Sequence, residues 1–133
     1  MTLHTRDDLR RALAAKNIEP LYLLYGAENF LRDRAARAIT DAGLAGAAAP
    51  AFNEATYNLN ANDVQAVIAA AEQLPMMAAR RVVRVTDFTK MSEADEEILV
   101  RYVTRPATTS VVIFVADELD KRRRLSKALL DVS

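Results

Sequence analysis

The run Leu21-Tyr22-Leu23-Leu24-Tyr25 ends in Gly26, and the residues that follow, Gly26-Ala27-Glu28-Asn29-Phe30-Leu31-Arg32-Asp33, stand where a phosphate-binding loop would lie. Such a loop reads G-x-x-x-x-G-K-[ST]. Its second glycine lets backbone N–H groups close on the phosphates, its lysine reaches the β and γ oxygens, and its hydroxyl ligates Mg²⁺. Here Leu31 replaces the glycine, Arg32 the lysine and Asp33 the hydroxyl, while Glu28 directs a carboxylate toward the phosphate site. The position suits a nucleotide, but the chemistry is missing.

Two further segments carry charge in a pattern that could do chemistry. Val111 to Val115 followed by Asp117-Glu118 resembles the apolar strand and acidic pair that hold Mg²⁺ in P-loop ATPases. A divergent nucleotide hydrolase could place Arg32 for the lysine and these two acids on the metal. An apolar strand ending in acids is equally an ordinary strand-to-loop junction. Arg122, Arg123 and Arg124, preceded by Lys121 and followed by Lys127 one turn later, could touch phosphate backbone or an acidic neighbouring protein. No aromatic residue is interleaved to stack on a base. With no cysteine and a single histidine, His4, the sequence offers nothing from which to build a thiolate or histidine metal site or a Ser-His-Asp triad. His4 is read as a surface residue.

The apolar cluster Leu74-Pro75-Met76-Met77 is unusual in another way. It sits at a helix end just before a strand, where polar turn residues are the rule. Methionine fills irregular core gaps, and it also serves on adaptable docking surfaces. The sequence alone leaves both readings open.

The elements that must position these residues alternate. A first helix spans Thr5 to Lys16, with Thr5 as N-cap and Asp7 and Asp8 in its first turn. The strand at Leu21 to Tyr25 leads through Gly26 to a helix whose inward face is Leu31, Ala35, Ala38, Ile39 and Ala42, with Gly43 as C-cap. A weak strand is predicted over Phe52 to Leu59. Asn60 or Asn62 caps a third helix, with Val64, Val67, Ile68, Ala71 and Leu74 inward and Pro75 ending it. Arg81 to Phe88 is a β-branched strand. Ser92 and Asp95 form a variant capping box for a helix through Val103, with Ile98, Leu99, Tyr102 and Val103 inward, and Arg105-Pro106 stops it. Val111 to Val115 is the clearest strand, and a last helix runs from Arg124 to Val132 with Leu125, Ala128, Leu129 and Val132 together. This alternation predicts an α/β fold of three layers, a parallel sheet with helices on both faces. The sequence stops just after a helix, where a last strand is expected, so it reads as a fragment of a longer chain.

Composition sets the outer limits. The 133 residues are 51% hydrophobic and 27% charged, ordinary usage for one globular core. Lys plus Arg and Asp plus Glu number 18 each, so no bulk field draws the chain to nucleic acid or membrane. No apolar run approaches the roughly 20 residues of a membrane span. The expected compartment is cytoplasmic, with no membrane partner.

Taken together the segments resemble the N-terminal domain of the delta subunit of bacterial DNA polymerase III, a clamp-loader subunit. The matching residues are Pro20 to Gly26 with Glu28 and Phe30-Leu31; Leu74-Pro75-Met76-Met77 with Arg80 to Val83; and Val112 to Val115 with Leu119 to Arg122, Leu125, Lys127 and Ala128. The resemblance implies an AAA+-like (RecA-type) domain over residues 1–133, without a working Walker motif, intrinsic catalysis, cofactor or metal. It implies that Met76 and Met77, with Leu74 and Pro75, bind the sliding clamp (the beta subunit) and favour its opened form during DNA replication. The other implied partners are the gamma/tau and delta prime subunits, with primed DNA reached indirectly. The family often has an aromatic in the apolar pair, and this sequence has none there.

Overall fold

The computed structural model describes residues 6–26, 28–88 and 91–131; His4, the proposed cap Thr5 and Val132 lie outside them. Strand β4, Ser110–Ala116, carries no charge and is buried along its whole length. A strand covered on both faces needs neighbours on both edges. β1 (Leu21–Tyr25) lies along one edge and β3 (Arg81–Thr86) along the other, with β2 (Glu54–Asn58) beyond β3, giving the order β1-β4-β3-β2. Every pairing is parallel, with Tyr25 opposite Ala116 and Thr86 opposite Val115.

The two-residue period of the strands divides the core between the faces. Val82, Val111 and Ile113 point to a layer made by α1 (Arg6–Ala14) and α2 (Asn29–Gly43), where Ala36 and Ile39 are fully buried. Val83, Val112 and Phe114 point the other way. They meet α3 (Val64–Glu72), α4 (Glu93–Thr104) and α5 (Arg124–Asp131), with Leu99, Leu125 and Leu129 at the centre. Phe88 sets its ring edge to face on Phe114, centroids 5.4 Å apart. The predicted three-layer α/β architecture is therefore present. No described helix is long and apolar enough to cross a membrane.

Several local expectations are corrected. The inward face of α2 is Ala36, Ile39, Thr40 and Gly43, not the stripe through Leu31, Ala35, Ala38 and Ala42. Thr40 can be buried because its hydroxyl donates to the Ala36 carbonyl at 2.8 Å, a satisfied polar group that an apolar count overlooks. Gly43 is the last helical residue and Leu44 the C-cap; a Cβ on Gly43 would come within 2.9 Å of the Val82 side chain, so close packing on the sheet explains the glycine. The cap of α3 is Asp63, which accepts from the Gln65 N–H, while Asn60 and Asn62 shape the preceding turn with Asn58. That helix stops at Glu72, with Gln73 as cap, so Leu74 is exposed and not part of the inward stripe. The residue before a proline is pushed out of the helical region, which ends α3 ahead of Pro75. Residues Pro50–Asn53 form a 3-10 turn and only Glu54–Asn58 extend as strand. β1 is buried at Leu21 and Tyr22 but opens toward Tyr25, as an edge strand does.

Candidate functional site

Ligands of open parallel sheets bind beyond the carboxyl ends of the strands. Here that edge is formed by Tyr25 and Ala116, and the chain leaves it through Gly26, whose φ of 137° requires a residue without Cβ. The Gly26 N–H is turned onto the Ala116 and Asp117 carbonyls, at 3.3 and 3.1 Å. Arg32, one turn into α2, folds back over this turn. It donates to the Gly26 carbonyl and to Asn29 Oδ1, and its guanidinium meets Asp117 Oδ1 at 2.7 Å. The side chain in the lysine position is thus committed to protein oxygens, and the carboxylate in the metal-holding position is its partner. Leu31 is half-buried and Asp33 and Glu28 are exposed. Among the described residues no group of three or more His, Asp or Glu side chains is placed to hold a metal ion.

The basic segment has partners of its own. Arg122 grips Asp120 with two bonds, at 3.0 and 3.2 Å. This pair holds the Asp120 carboxyl below its ordinary range, chiefly through the side-chain hydrogen bond. Arg123 donates to the buried Glu96 at 2.9 Å and to the Met91 carbonyl at 2.8 Å, and Arg124 pairs with Glu97. Lys121 and Lys127 are exposed. Arg123 and Arg124 therefore serve first to dock the start of α5 on α4, while Arg122 stays within its own turn.

The segment from Gln73 to Arg80 joins α3 to β3 at the sheet's opposite end. Its apolar side chains point outward: Leu74 is 74%, Met76 54% and Met77 76% exposed, with Pro75 half-buried. Leaving three large apolar side chains in water costs free energy unless something covers them. The backbone beneath is tightly held. Asn53, itself completely buried, donates from Nδ2 to the Met76 carbonyl at 2.8 Å and accepts the Met76 N–H at 2.7 Å. Arg81, also buried, donates to the Ala70 carbonyl at the end of α3 and to the Phe52 carbonyl in the 3-10 turn. Ser110 Oγ donates to the Ala71 carbonyl. These bonds satisfy carbonyls that a helix end leaves open. Sequence reasoning singled out the methionines but missed Asn53 and Arg81. The charge opening the otherwise apolar run Arg81-Val82-Val83 was the available signal for Arg81, and Asn53 had none.

Residues 22–133 match the family model for DNA polymerase III, delta subunit. The DNA polymerase III subunit delta of Bacillus subtilis is 30% identical over 92% of this chain and 38% of its own length. The solved structure of the Bacillus subtilis DNA clamp loader delta protein superposes with a TM-score of 0.82 at 27% identity, over 93% of this chain and 39% of that one. A DNA polymerase III gamma subunit-related protein of Thermotoga maritima shares the fold, with a TM-score of 0.68 at 11% identity over 92% of this chain and 43% of that one. The chain thus spans about two fifths of the length of these relatives.

Proposed function

Because the chain belongs to the DNA polymerase III delta subunit family, we propose that it is the non-catalytic, clamp-binding domain of a clamp loader. The observation that carries this reading is the outward-facing apolar loop Leu74-Pro75-Met76-Met77, presented on a backbone that the domain itself holds still. Large apolar side chains of this kind supply binding energy when a pocket desolvates them. The partner is the sliding clamp, and the methionines enter a hydrophobic pocket on it. Binding shifts the clamp toward an opened form only to the extent that the opened form is bound more tightly than the closed one.

The turn at Gly26 supports a role without nucleotide. A triphosphate would have to displace Asp117 from Arg32, and would find neither the second glycine nor the hydroxyl. ATP binding and hydrolysis fall to other loader subunits; its partners in the loader are of the gamma/tau and delta prime kind, and primed DNA is met through the complex. A cytoplasmic site of action at replication forks follows from this role. The test is clamp affinity of Met76→Ala with Met77→Ala. The double variant is expected to lose on the order of 2 kcal/mol or more. A folded double variant with undiminished affinity rejects the assignment.

A further inference from the structure

A loop that contributes two exposed side chains to a partner binds well only if its backbone already has the bound shape. Fixing a residue's backbone costs conformational entropy, and each immobilised long side chain costs more. Gln73 to Arg80 belong to no helix or sheet ladder, so nothing regular holds them. The tie comes from a side chain more than twenty residues earlier. The Asn53 amide uses its acceptor and its donor on the N–H and the carbonyl of the same residue, Met76, as a neighbouring strand would. Its remaining N–H faces the Ala49 carbonyl at 3.5 Å. The next residue, Met77, has a φ of 53°, a left-handed conformation unfavourable for a side chain of this size, and its carbonyl accepts from the Ala48 N–H at 3.4 Å.

The division of labour is sharp. The Met76 N–H and carbonyl and the Met77 carbonyl are bonded by the segment Ala48 to Asn53, while the Met76 and Met77 side chains are left to solvent. The clasp is anchored in turn, because Arg81 fixes both the Phe52 carbonyl beside Asn53 and the Ala70 carbonyl of α3. Only an amide fits this place. Aspartate has no donor for the Met76 carbonyl, and leucine has neither group. We propose that Asn53 is a positioning residue for docking: it presets the Met76–Met77 backbone so that the two side chains meet the clamp without a backbone ordering cost. This rests on the clamp-binding reading above.

The experiment compares clamp affinity of the full chain, by calorimetry, for the unaltered protein, Asn53→Ala, Met76→Ala with Met77→Ala, and the triple variant, with the melting transition of each recorded alongside. Asn53→Ala is expected to weaken clamp binding about tenfold. The triple variant is expected to bind no worse than the double methionine variant, because a preset loop without its side chains has nothing to present. A folded Asn53→Ala with full affinity, beside an impaired methionine variant, overturns the positioning role and leaves the docking loop standing. Full affinity in the methionine variant overturns the docking reading itself. Should Asn53→Ala fail to fold, Asn53→Asp keeps the acceptor and removes the donor, and is expected to lose affinity in the same direction. Amide exchange in the unaltered protein is a further check. The Met76 N–H is expected to be protected although its side chain is exposed, and exchange at the rate of an unstructured chain overturns the proposal.

Discussion

Arg32, at the second residue from the end of the eight-residue turn motif, is ion-paired with Asp117 just past the end of β4, 2.7 Å apart. In a nucleotide-binding relative of this fold the corresponding positions would face a phosphate and a metal ion. Here they face each other, so the two loops at this edge of the sheet are joined by the protein's own charges. The arginine is nearly buried, at 11%, whereas Asp117 is 81% exposed. Its hydrogen bonds to the Gly26 carbonyl and Asn29 therefore outweigh the solvent-screened pair itself.

That imbalance gives a prediction. Arg32→Ala should destabilise the domain by about 1–2 kcal/mol, through the lost hydrogen bonds and the gap left in the turn. Asp117→Asn should cost less than about 1 kcal/mol, as expected for an exposed partner. Denaturant unfolding reads both. Calorimetry with Mg-ATP should show no binding heat in either the unaltered protein or the variants. Micromolar binding that Arg32→Ala abolishes would mean that the closed turn opens for nucleotide.

The parts of this fold that were legible in the sequence are those whose cause is local. β4 is an apolar run bounded by polar residues, and Ser92 caps α4 by accepting from Asp95 N–H three residues on. The departure of Gly26 to Asp33 from the phosphate-loop motif was also readable, because such a motif is a local pattern. What stayed hidden depends on contacts distant along the chain. Gly43 is a glycine because Val82 approaches it, and Asn53 is buried because Met76 lies against it. Leu74 has helical spacing, yet Pro75 ends the helix early enough to turn it outward. Periodicity identifies a candidate face but does not say how far the helix lasts.

Two tyrosines make stability pH-dependent on the alkaline side. Tyr22 and Tyr102 both have a raised pKa, first because burial disfavours the phenolate; the backbone N–H groups of Glu19 and Ala107, at 3.0 and 3.3 Å, oppose this in part. Below the ordinary value of 10.0 both phenols are protonated whether the chain is folded or not, and their contribution is constant. As pH rises through and beyond that value, the unfolded chain releases protons that the folded chain retains, so stability falls. Unfolding free energy measured across this range should drop more steeply for the unaltered protein than for Tyr22→Phe with Tyr102→Phe. Each replacement should also cost about 1 kcal/mol at neutral pH, since Glu19 or Ala107 loses its acceptor. Equal alkaline slopes would show that burial does not hold these phenols neutral.

The basic start of α5 separates a structural role from a phosphate-binding one. Arg123 is three-quarters covered and is the partner of Glu96, a carboxylate with almost no access to water that also accepts from the Leu125 N–H at 3.4 Å. Removing one member of a buried pair strands the other, so Arg123→Ala should cost about 2 kcal/mol, with the retained Leu125 bond moderating the loss. Arg122 projects into solvent and, among the described residues, binds its near neighbour Asp120, so Arg122→Ala should leave the melting transition unchanged. Arg124, exposed but paired with the partly buried Glu97, should fall between them. A strip built for phosphate contact predicts the reverse pattern. Stability would hardly change at any of the three, and affinity for DNA would fall by a similar factor at each, with a salt dependence set by the phosphates contacted. Melting curves and a salt titration of DNA binding on the same three variants decide between the two. The graded loss of stability is the outcome expected from the Arg123–Glu96 geometry.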